Sequence, residues 1–248
     1  MYIRKLMIAL LFVVPMHLNA EDVLDQSVRD DANALILQSF QSDLGYQIIE
    51  SLTTEVGQRL AGTEAEARAR DWGVAKFKEL GFKNVRIEPF QVDHWERHSE
   101  HAEITSPFPQ KLTITALGGS IATVPEGIVG QVVRFENLQA LKDAPMKGLK
   151  GKIVFVDEYM TRTQDGSGYG VAVKKRSGAA VEAGKRGAVA ALIRSVGTDH
   201  HRFPHTGQMT YDQNVVKVPI AALSAPDADQ LHRALGRGDV EVKLQIDV

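Results

Sequence analysis

Apolar residues recur at helical spacing through the first part of the chain. Between residues 25 and 50 they are Leu35, Leu37, Phe40, Leu44 and Ile48, and this spacing predicts a helix. A second helix is predicted from Thr63, which can form a capping box with Glu66, to a terminating glycine at Gly81. Residues 85–92 alternate between apolar and polar side chains and predict a strand.

The middle of the chain predicts short strands and one βαβ unit. Strands are expected within 111–115 and 130–135. The continuous apolar run at 153–156 is typical of a strand that is covered on both faces. With a helix over 179–186 and a second apolar run at 188–193, it forms a βαβ unit whose two strands are parallel.

The last part of the chain continues the alternation of strand and helix. A strand is predicted over 215–223, and Ser224 is expected to cap a helix that runs through Leu235 and stops at Gly236. Residues 240–248 alternate strictly and predict a half-buried strand. Taken together, the pattern predicts a mixed α/β protein.

The N-terminus has the three parts of a secretory signal peptide. Residues 1–5 form a short basic region with Arg4 and Lys5, and residues 6–14 are apolar. The small residue Ala20, which precedes an acidic pair, is the expected cleavage position. The apolar run is well short of the roughly 20 residues that a membrane span needs. We therefore expect a secreted or periplasmic protein that has no membrane association after the signal is removed.

Composition and charge exclude several classes of function. Lys and Arg total 29 against 31 Asp and Glu, a net charge of −2, so the strongly basic face of a nucleic-acid-binding protein is not expected. The chain has no cysteine, which excludes thiolate catalysis, iron–sulfur clusters and disulfides. It also has no Gly-x-Ser-x-Gly nucleophile elbow.

The histidines form two groups. In the first, His94 and His98 are four residues apart, but Glu96 is not at the position that a zinc-binding His-Glu-x-x-His helix requires. A polar strand end or loop is the favoured interpretation there. The second group lies at 199–207 and could bind zinc or copper through its imidazoles. A surface loop beside a ligand groove is the interpretation we favour for it.

Several segments, in the same order along the chain, resemble the carboxypeptidase Q-like zinc exopeptidases. The segments GAAVEAGKRGAVAALIRSV (178–196), PHTG (204–207) and VPIA (218–221) resemble the protease-associated domain of that family. The upstream segments VGQRLAG (56–62), HWER (94–97), PEGI (125–128) and GKIV (151–154) match it as well. The resemblance covers about residues 40–248.

The resemblance implies an aminopeptidase-type α/β domain that carries two zinc ions, with a protease-associated domain inserted near its start and partly covering the active-site cleft. Family members are secreted or lysosomal, often homodimeric, and cleave dipeptides or unblocked terminal residues. The implied division is a signal peptide at 1–20, a leading segment of the peptidase domain at 21–101 and a protease-associated domain at 102–238. A last strand at 239–248 is expected to return to a peptidase domain that is missing from this chain.

The family's zinc ligands begin with a His-x-Asp motif and include a Glu-Glu pair, and this chain contains neither. We therefore expect no catalytic or metal-ligating residue and no cofactor in these 248 residues. The two zinc ions are implied for the full-length enzyme only. Residues expected at the substrate rim are His201, His205 and Thr206.

Two functions from different classes remain open. In the first, the chain is the N-terminal part of a zinc exopeptidase; it shapes or gates the cleft for a peptide or dipeptide substrate and is inactive alone. In the second, it is a stand-alone exported module that binds a peptide or a partner without hydrolysis. A periplasmic small-molecule binder is a third option, which rests on the βαβ unit alone.

Overall fold

The computed structural model describes residues 24–248 and divides the chain into two compact units, which meet between Val92 and Asp93. The predicted signal peptide and its cleavage position at Ala20 lie outside the described residues. Within them, no helix is both long enough and apolar enough to cross a membrane. The mixed α/β class is confirmed.

The first unit is helical. Its helices are α1 (Gln26–Gln41), α2 (Leu44–Ser51), which continues into a π-helical turn (Leu52–Val56), and α3 (Glu64–Glu79). The single helix predicted over 25–50 is wrong, because the chain breaks after α1. Ser42 is extended there, and its hydroxyl accepts a hydrogen bond from the Leu44 backbone N–H, 3.2 Å away, at the start of α2.

The predicted ends of α3 are confirmed. The Thr63 hydroxyl accepts a hydrogen bond from the Glu66 N–H at 3.2 Å, and Gly81 has the positive φ of 83° that favours glycine after a helix. The Trp72 indole N–H donates to the Ser51 hydroxyl at 2.8 Å and fixes α3 to α2. The strand predicted over 85–92 is wrong: among residues 24–248 no segment pairs with it, and a strand needs a neighbour for its backbone groups.

Most apolar side chains of the first unit are exposed. Between residues 24 and 92, Val56 is the buried one, whereas Phe40 is 84% and Phe90 82% exposed. The helices α1, α2 and α3 contain no buried residue. Taken by itself, this unit therefore has almost no hydrophobic core.

In the second unit, eight strands of the described residues form one sheet in the order β2-β1-β8-β4-β5-β6-β7-β3. They are β1 (Ser99–Ser106), β2 (Gln110–Leu112), β3 (Ile114–Ala116), β4 (Ile128–Phe135), β5 (Ile153–Val156), β6 (Ala190–Arg194), β7 (Ile220–Leu223) and β8 (Glu241–Asp247). The four strands β4, β5, β6 and β7 are parallel neighbours, and the remaining pairs are antiparallel. The predicted βαβ unit and its parallel strands are confirmed.

The two ends of the strand order belong to one stretch of chain. Strands β2 and β3 are separated by Thr113 alone, yet β2 pairs with β1 and β3 pairs with β7. The sheet must therefore curl, so that its two edge strands, β2 and β3, meet at Thr113. At the junction, the Thr113 N–H donates to the carboxylate of Asp227 at 3.0 Å, and its carbonyl accepts from the Ser224 N–H at 3.0 Å.

Helices cover both faces of the parallel strands. They are α4 (Leu138–Asp143), α5 (Ser167–Ala172), α6 (Lys174–Lys185) and α7 (Ala225–Leu235). Side chains of α4 and α6 share one apolar cluster, and Ala228 and Leu231 of α7 belong to the other. The predicted cap of α7 is confirmed, since the Ser224 hydroxyl accepts from the Asp227 N–H. Strand β7 is shorter than predicted, because the Val218 carbonyl accepts from the Tyr211 hydroxyl at 2.7 Å instead of continuing a ladder.

The alternating pattern predicted for the last strand is confirmed. The side chains of β8 alternate between buried and less buried positions, with Val242, Leu244 and Ile246 in the core. Residues 239–248, expected to return to a missing peptidase domain, contain β8, and this strand lies between β1 and β4 of the sheet; the return itself stays a prediction. The register of β8 places Asp247 opposite Ser99.

The second unit also begins earlier than the predicted boundary at residue 102. Residues before β1 are already bound to this sheet: the Trp95 indole donates to the Ser120 carbonyl at 2.9 Å, and the His98 N–H donates to the Asp247 carbonyl at 3.0 Å. Trp95 also packs against the core. These contacts explain why the division falls at 92/93.

Candidate functional site

Charged and polar side chains gather where the parallel strands end. Arg134 lies near the end of β4, Asp157 follows β5, Arg194 ends β6 and Ser224 follows β7. Ligands of open parallel sheets bind outside the carboxyl ends of the strands, since the loops that follow the strands converge there. This edge and the loop that follows β6 are therefore the candidate site.

Asp157 is the centre of a buried ionic network. Its side chain is fully buried, and three donors surround it. The Nε atoms of Arg134 and Arg194 lie 2.6 and 2.7 Å from its two carboxylate oxygens, and Nδ1 of His232, on α7, lies 2.6 Å from Oδ2. A buried carboxylate needs compensation of this kind, because an unpaired charge is costly to remove from water.

The network extends outward through Arg194 to Asp229. One guanidinium nitrogen of Arg194 lies 2.7 Å from Asp229, which also accepts from the Tyr159 hydroxyl and faces Nε2 of His200, both at 2.8 Å. Burial alone would raise the pKa of Asp229, but the hydrogen bonds from His200, Tyr159 and Arg194 outweigh it and lower this pKa to about 2. Burial and the bond to Asp229 raise the pKa of Tyr159.

Lys175, on α6, is a buried cation close to the same edge. Its side chain is fully buried, and its ammonium group donates to the Glu158 carbonyl oxygen at 2.6 Å. Burial lowers the pKa of Lys175 to about 8, against the opposing effect of the Glu158 carboxylate. The carbonyl oxygen is its one hydrogen-bond partner among the bonds of the described residues.

The loop after β6 is attached to the sheet by hydrogen bonds between side-chain hydroxyls and backbone groups. The His205 N–H donates to the Ser195 hydroxyl at 2.8 Å, and that hydroxyl donates to the Leu223 carbonyl at 2.6 Å. The Thr206 hydroxyl donates to the Ala116 carbonyl at 2.9 Å. These bonds attach the loop at His205 and Thr206 to the ends of the strands.

The structure brings two of the three predicted rim residues together. His201 and His205 are about half exposed, their rings are 5.8 Å apart, and both Nε2 atoms lie 3.0 Å from the same carboxylate oxygen of Asp199. Thr206 differs, because its hydroxyl is turned to the sheet and fixes the loop. All three stay predictions as substrate contacts.

The first histidine group does not form a site. His94 pairs with Glu96 at 3.4 Å, and His101, in β1, pairs with Glu103 at 3.8 Å. In the described part of the chain, the set of side chains with metal-binding spacing is Asp199, His201 and His205. Of the two expected alternatives, a polar strand end or a loop, the structure shows a loop around His94, since β1 begins only at Ser99.

Sequence reasoning missed the ionic network. Asp157 and Arg194 each stand at the end of a predicted parallel strand, and this position was a signal that could have identified them. No local pattern reveals that Arg134 and His232 reach the same carboxylate, because they lie 23 and 75 residues from it in sequence.

Comparison with known proteins finds relatives that are peptidases, although no protein-family profile matches this chain. Carboxypeptidase Q of Bos taurus is 38% identical over 197 residues, which are 78% of this chain and 40% of the relative. The Xenopus laevis protein is 35% identical over 215 residues, 86% of this chain and 44% of the relative.

Solved structures of peptidases also match this chain. The crystal structure of a peptidase M28 precursor from Shewanella amazonensis matches with a TM-score of 0.84 and 47% identity, over 88% of this chain and 49% of that one. A zinc aminopeptidase from Bacillus subtilis has a TM-score of 0.54 at 20% identity, a likeness of fold alone. The chain spans less than half the length of the relatives it matches. Over most of its own length, it is thus a relative of the carboxypeptidase Q-like peptidases and shares the fold of an M28 peptidase.

Proposed function

We propose that this chain supplies the N-terminal part of an exported zinc-dependent exopeptidase. The first unit is then the leading segment of the peptidase domain, and the second unit is a protease-associated domain that shapes the substrate cleft. The observation that carries the proposal is the match of 88% of this chain to 49% of a peptidase M28 precursor, at 47% identity. The relatives named carboxypeptidase Q support a peptide or dipeptide substrate.

The exposed apolar faces of the first unit support this assignment. Helices α1, α2 and α3 carry apolar side chains that the described residues leave exposed, among them Leu35, Phe40 and Phe77. Packing them against further sheet and helices of a peptidase domain would bury them, at roughly 25 cal/mol for each Å² of apolar surface. A stand-alone binding module has no such need.

Catalytic zinc does not fit the residues of this chain. The family's His-x-Asp and Glu-Glu motifs do not occur in its sequence, and a two-metal site needs several such ligands around the pair of ions. The chain alone is therefore expected to be inactive. Its part in the reaction is to hold the substrate: His201 and His205 would contact the peptide from the rim of the cleft, on a loop that is hydrogen-bonded to the sheet.

Export is proposed on the sequence alone. The basic and apolar parts of residues 1–14 and the small Ala20 are typical of a signal peptide. A homodimer, as the family resemblance implies, belongs to the same proposal.

A chimera tests the proposed function. Residues 24–248 replace the matching half of the Shewanella amazonensis peptidase, and dipeptide hydrolysis is measured. We expect activity in the chimera and none in the chain alone. Replacing His205 by Ala should lower kcat/KM, whereas the control His101→Ala, a similarly exposed histidine on β1, should leave it unchanged. Hydrolysis by the chain alone, or a well-folded chimera without activity, would overturn the proposal.

A further inference from the structure

We propose that Asp199, His201 and His205 form a binding site for one divalent transition-metal ion of the zinc class. The site lies on the loop after β6 and is built from this chain alone. It uses His201 and His205, which the proposed function places at the substrate rim, but its argument and its test do not depend on that function.

The distances suit a small metal ion. Nε2 of His201 and Nε2 of His205 each lie 3.0 Å from Oδ2 of Asp199, and the ligand atoms of the three residues are all within 4.8 Å of one another. Ligands at about 2.0 Å from a tetrahedral zinc ion are separated from each other by about 3.3 Å. Small side-chain rotations therefore bring the three atoms to coordination distance.

Metal binding at His201 would change one hydrogen bond of the loop. The Phe203 N–H donates to Nδ1 of His201 at 3.2 Å, and Nε2 of the same ring faces Asp199. A neutral imidazole that binds a metal through Nε2 carries its proton on Nδ1, so the bond from Phe203 would be lost. Phe203 is exposed, so water replaces its partner.

The loop is organised before a metal binds. The His205 N–H is held by the Ser195 hydroxyl, Pro204 is buried, and Nε of Arg202 donates to Asp227 at 3.1 Å. The neighbouring His200 is bound separately, by Asp229. Because these bonds lie between and beside the ligands, metal binding costs little further ordering of the chain.

The ligand set selects the class of ion. Two imidazoles and one carboxylate suit zinc, copper and nickel better than calcium or magnesium, which prefer oxygen ligands alone. Three protein ligands leave a tetrahedral ion one open position. The side chains of Asp199, His201 and His205 are 38%, 53% and 44% exposed, so water or an external ligand can reach that position.

Metal titration of the full chain, without a histidine tag, tests the proposal. Zn²⁺ binding is measured by calorimetry, and Co²⁺ absorption reports the coordination geometry. We expect one ion per chain with a four-coordinate Co²⁺ spectrum, and a loss of affinity of roughly tenfold or more in His201→Ala, His205→Ala and Asp199→Asn. The matched control is His200→Ala, which removes an exposed histidine of the same loop that binds Asp229 instead.

The control variant His200→Ala shows whether Zn²⁺ binds through the proposed ligands. The proposal is overturned if His200→Ala weakens binding as much as His201→Ala, or if the wild-type chain binds no Zn²⁺. The amide signal of Phe203 in NMR spectra gives a second readout, since its hydrogen bond to His201 should break when Zn²⁺ is added. An unchanged Phe203 signal in a sample that binds Zn²⁺ would place the ion elsewhere. Because no hydrolysis is measured, failure here leaves the proposed function untouched.

Discussion

Replacing Asp157 by Asn should destabilise the second unit strongly. The Asp157 side chain is fully buried, and the substitution keeps its size while it removes the negative charge between Arg134, Arg194 and His232. The NH2 group of the asparagine would also face the nitrogen donors of Arg134, Arg194 or His232, where a hydrogen-bond acceptor is needed. Arg194 is only 4% exposed, so water cannot replace the lost carboxylate.

The size of the effect follows from this geometry. Removing one partner of a buried ion pair costs about 3–5 kcal/mol, because the remaining charge is left uncompensated. Arg194 keeps Asp229 as a second partner at 2.7 Å, and Arg134 is 30% exposed. These two facts favour the lower end of the range, about 3 kcal/mol.

Urea unfolding followed by Trp fluorescence measures the loss. The chain has two tryptophans, and Trp72→Phe leaves Trp95, whose indole is bound to the sheet of the second unit. With a urea dependence of about 2 kcal/mol per M, the midpoint should fall by about 1.5 M. The control Glu103→Gln removes a carboxylate that is 36% exposed and lies 3.8 Å from His101, and it should change stability by less than about 0.5 kcal/mol. Equal midpoints for the two variants would refute the argument that Asp157 compensates buried charge.

Three further predictions concern single positions of the second unit. Because burial lowers the pKa of Lys175 to about 8, the folded state binds fewer protons than the unfolded state between pH 8 and 10.5. The stability of the wild type should therefore rise relative to that of Lys175→Met across this pH range, by about 3 kcal/mol in total. Urea midpoints of both proteins at several pH values measure the difference, and a difference that does not change with pH would contradict the prediction. Gly184→Ala should lower the Tm, because its Cβ would clash with the Val216 carbonyl oxygen, whereas Gly170→Ala, in open space on α5, should raise the Tm slightly. A rise of the Tm in both variants would show that helix propensity outweighs the clash. Ser224→Ala should cost about 1 kcal/mol by removing the cap of α7, measured by thermal melting, and an unchanged Tm would show that the cap does not stabilise the helix.

Local signals predicted the elements that neighbouring residues determine. Thr63 and Ser224 cap their helices as predicted, since a cap involves residues only three positions apart. The apolar run of β5 marks a fully buried strand, because both faces of that strand are covered by helices. The alternation of β8 likewise gives its half-buried pattern.

Long-range pairing accounts for the failures. The alternation of β8 does not say which strands lie beside it, and the pattern of residues 85–92 does not say whether a partner strand exists. Local sequence patterns also do not report contacts between distant residues, so they could not predict the network of Asp157, whose partners come from three other elements. Among the rim residues, the sequence pointed to His201 and His205 but did not show that Asp199 faces both.

The pairing of Ser99 with Asp247 affects any longer polypeptide that carries the second unit. Opposed residues of an antiparallel ladder have Cα atoms about 5 Å apart, so the chain enters and leaves this unit side by side. If the unit were unfolded, a surrounding domain would have to close a loop of about 150 residues, at an entropic cost of about 4–5 kcal/mol. The folded sheet closes that loop in advance, so the stability of the surrounding domain is thermodynamically coupled to the folding of this unit, and a variant that unfolds the unit would weaken both.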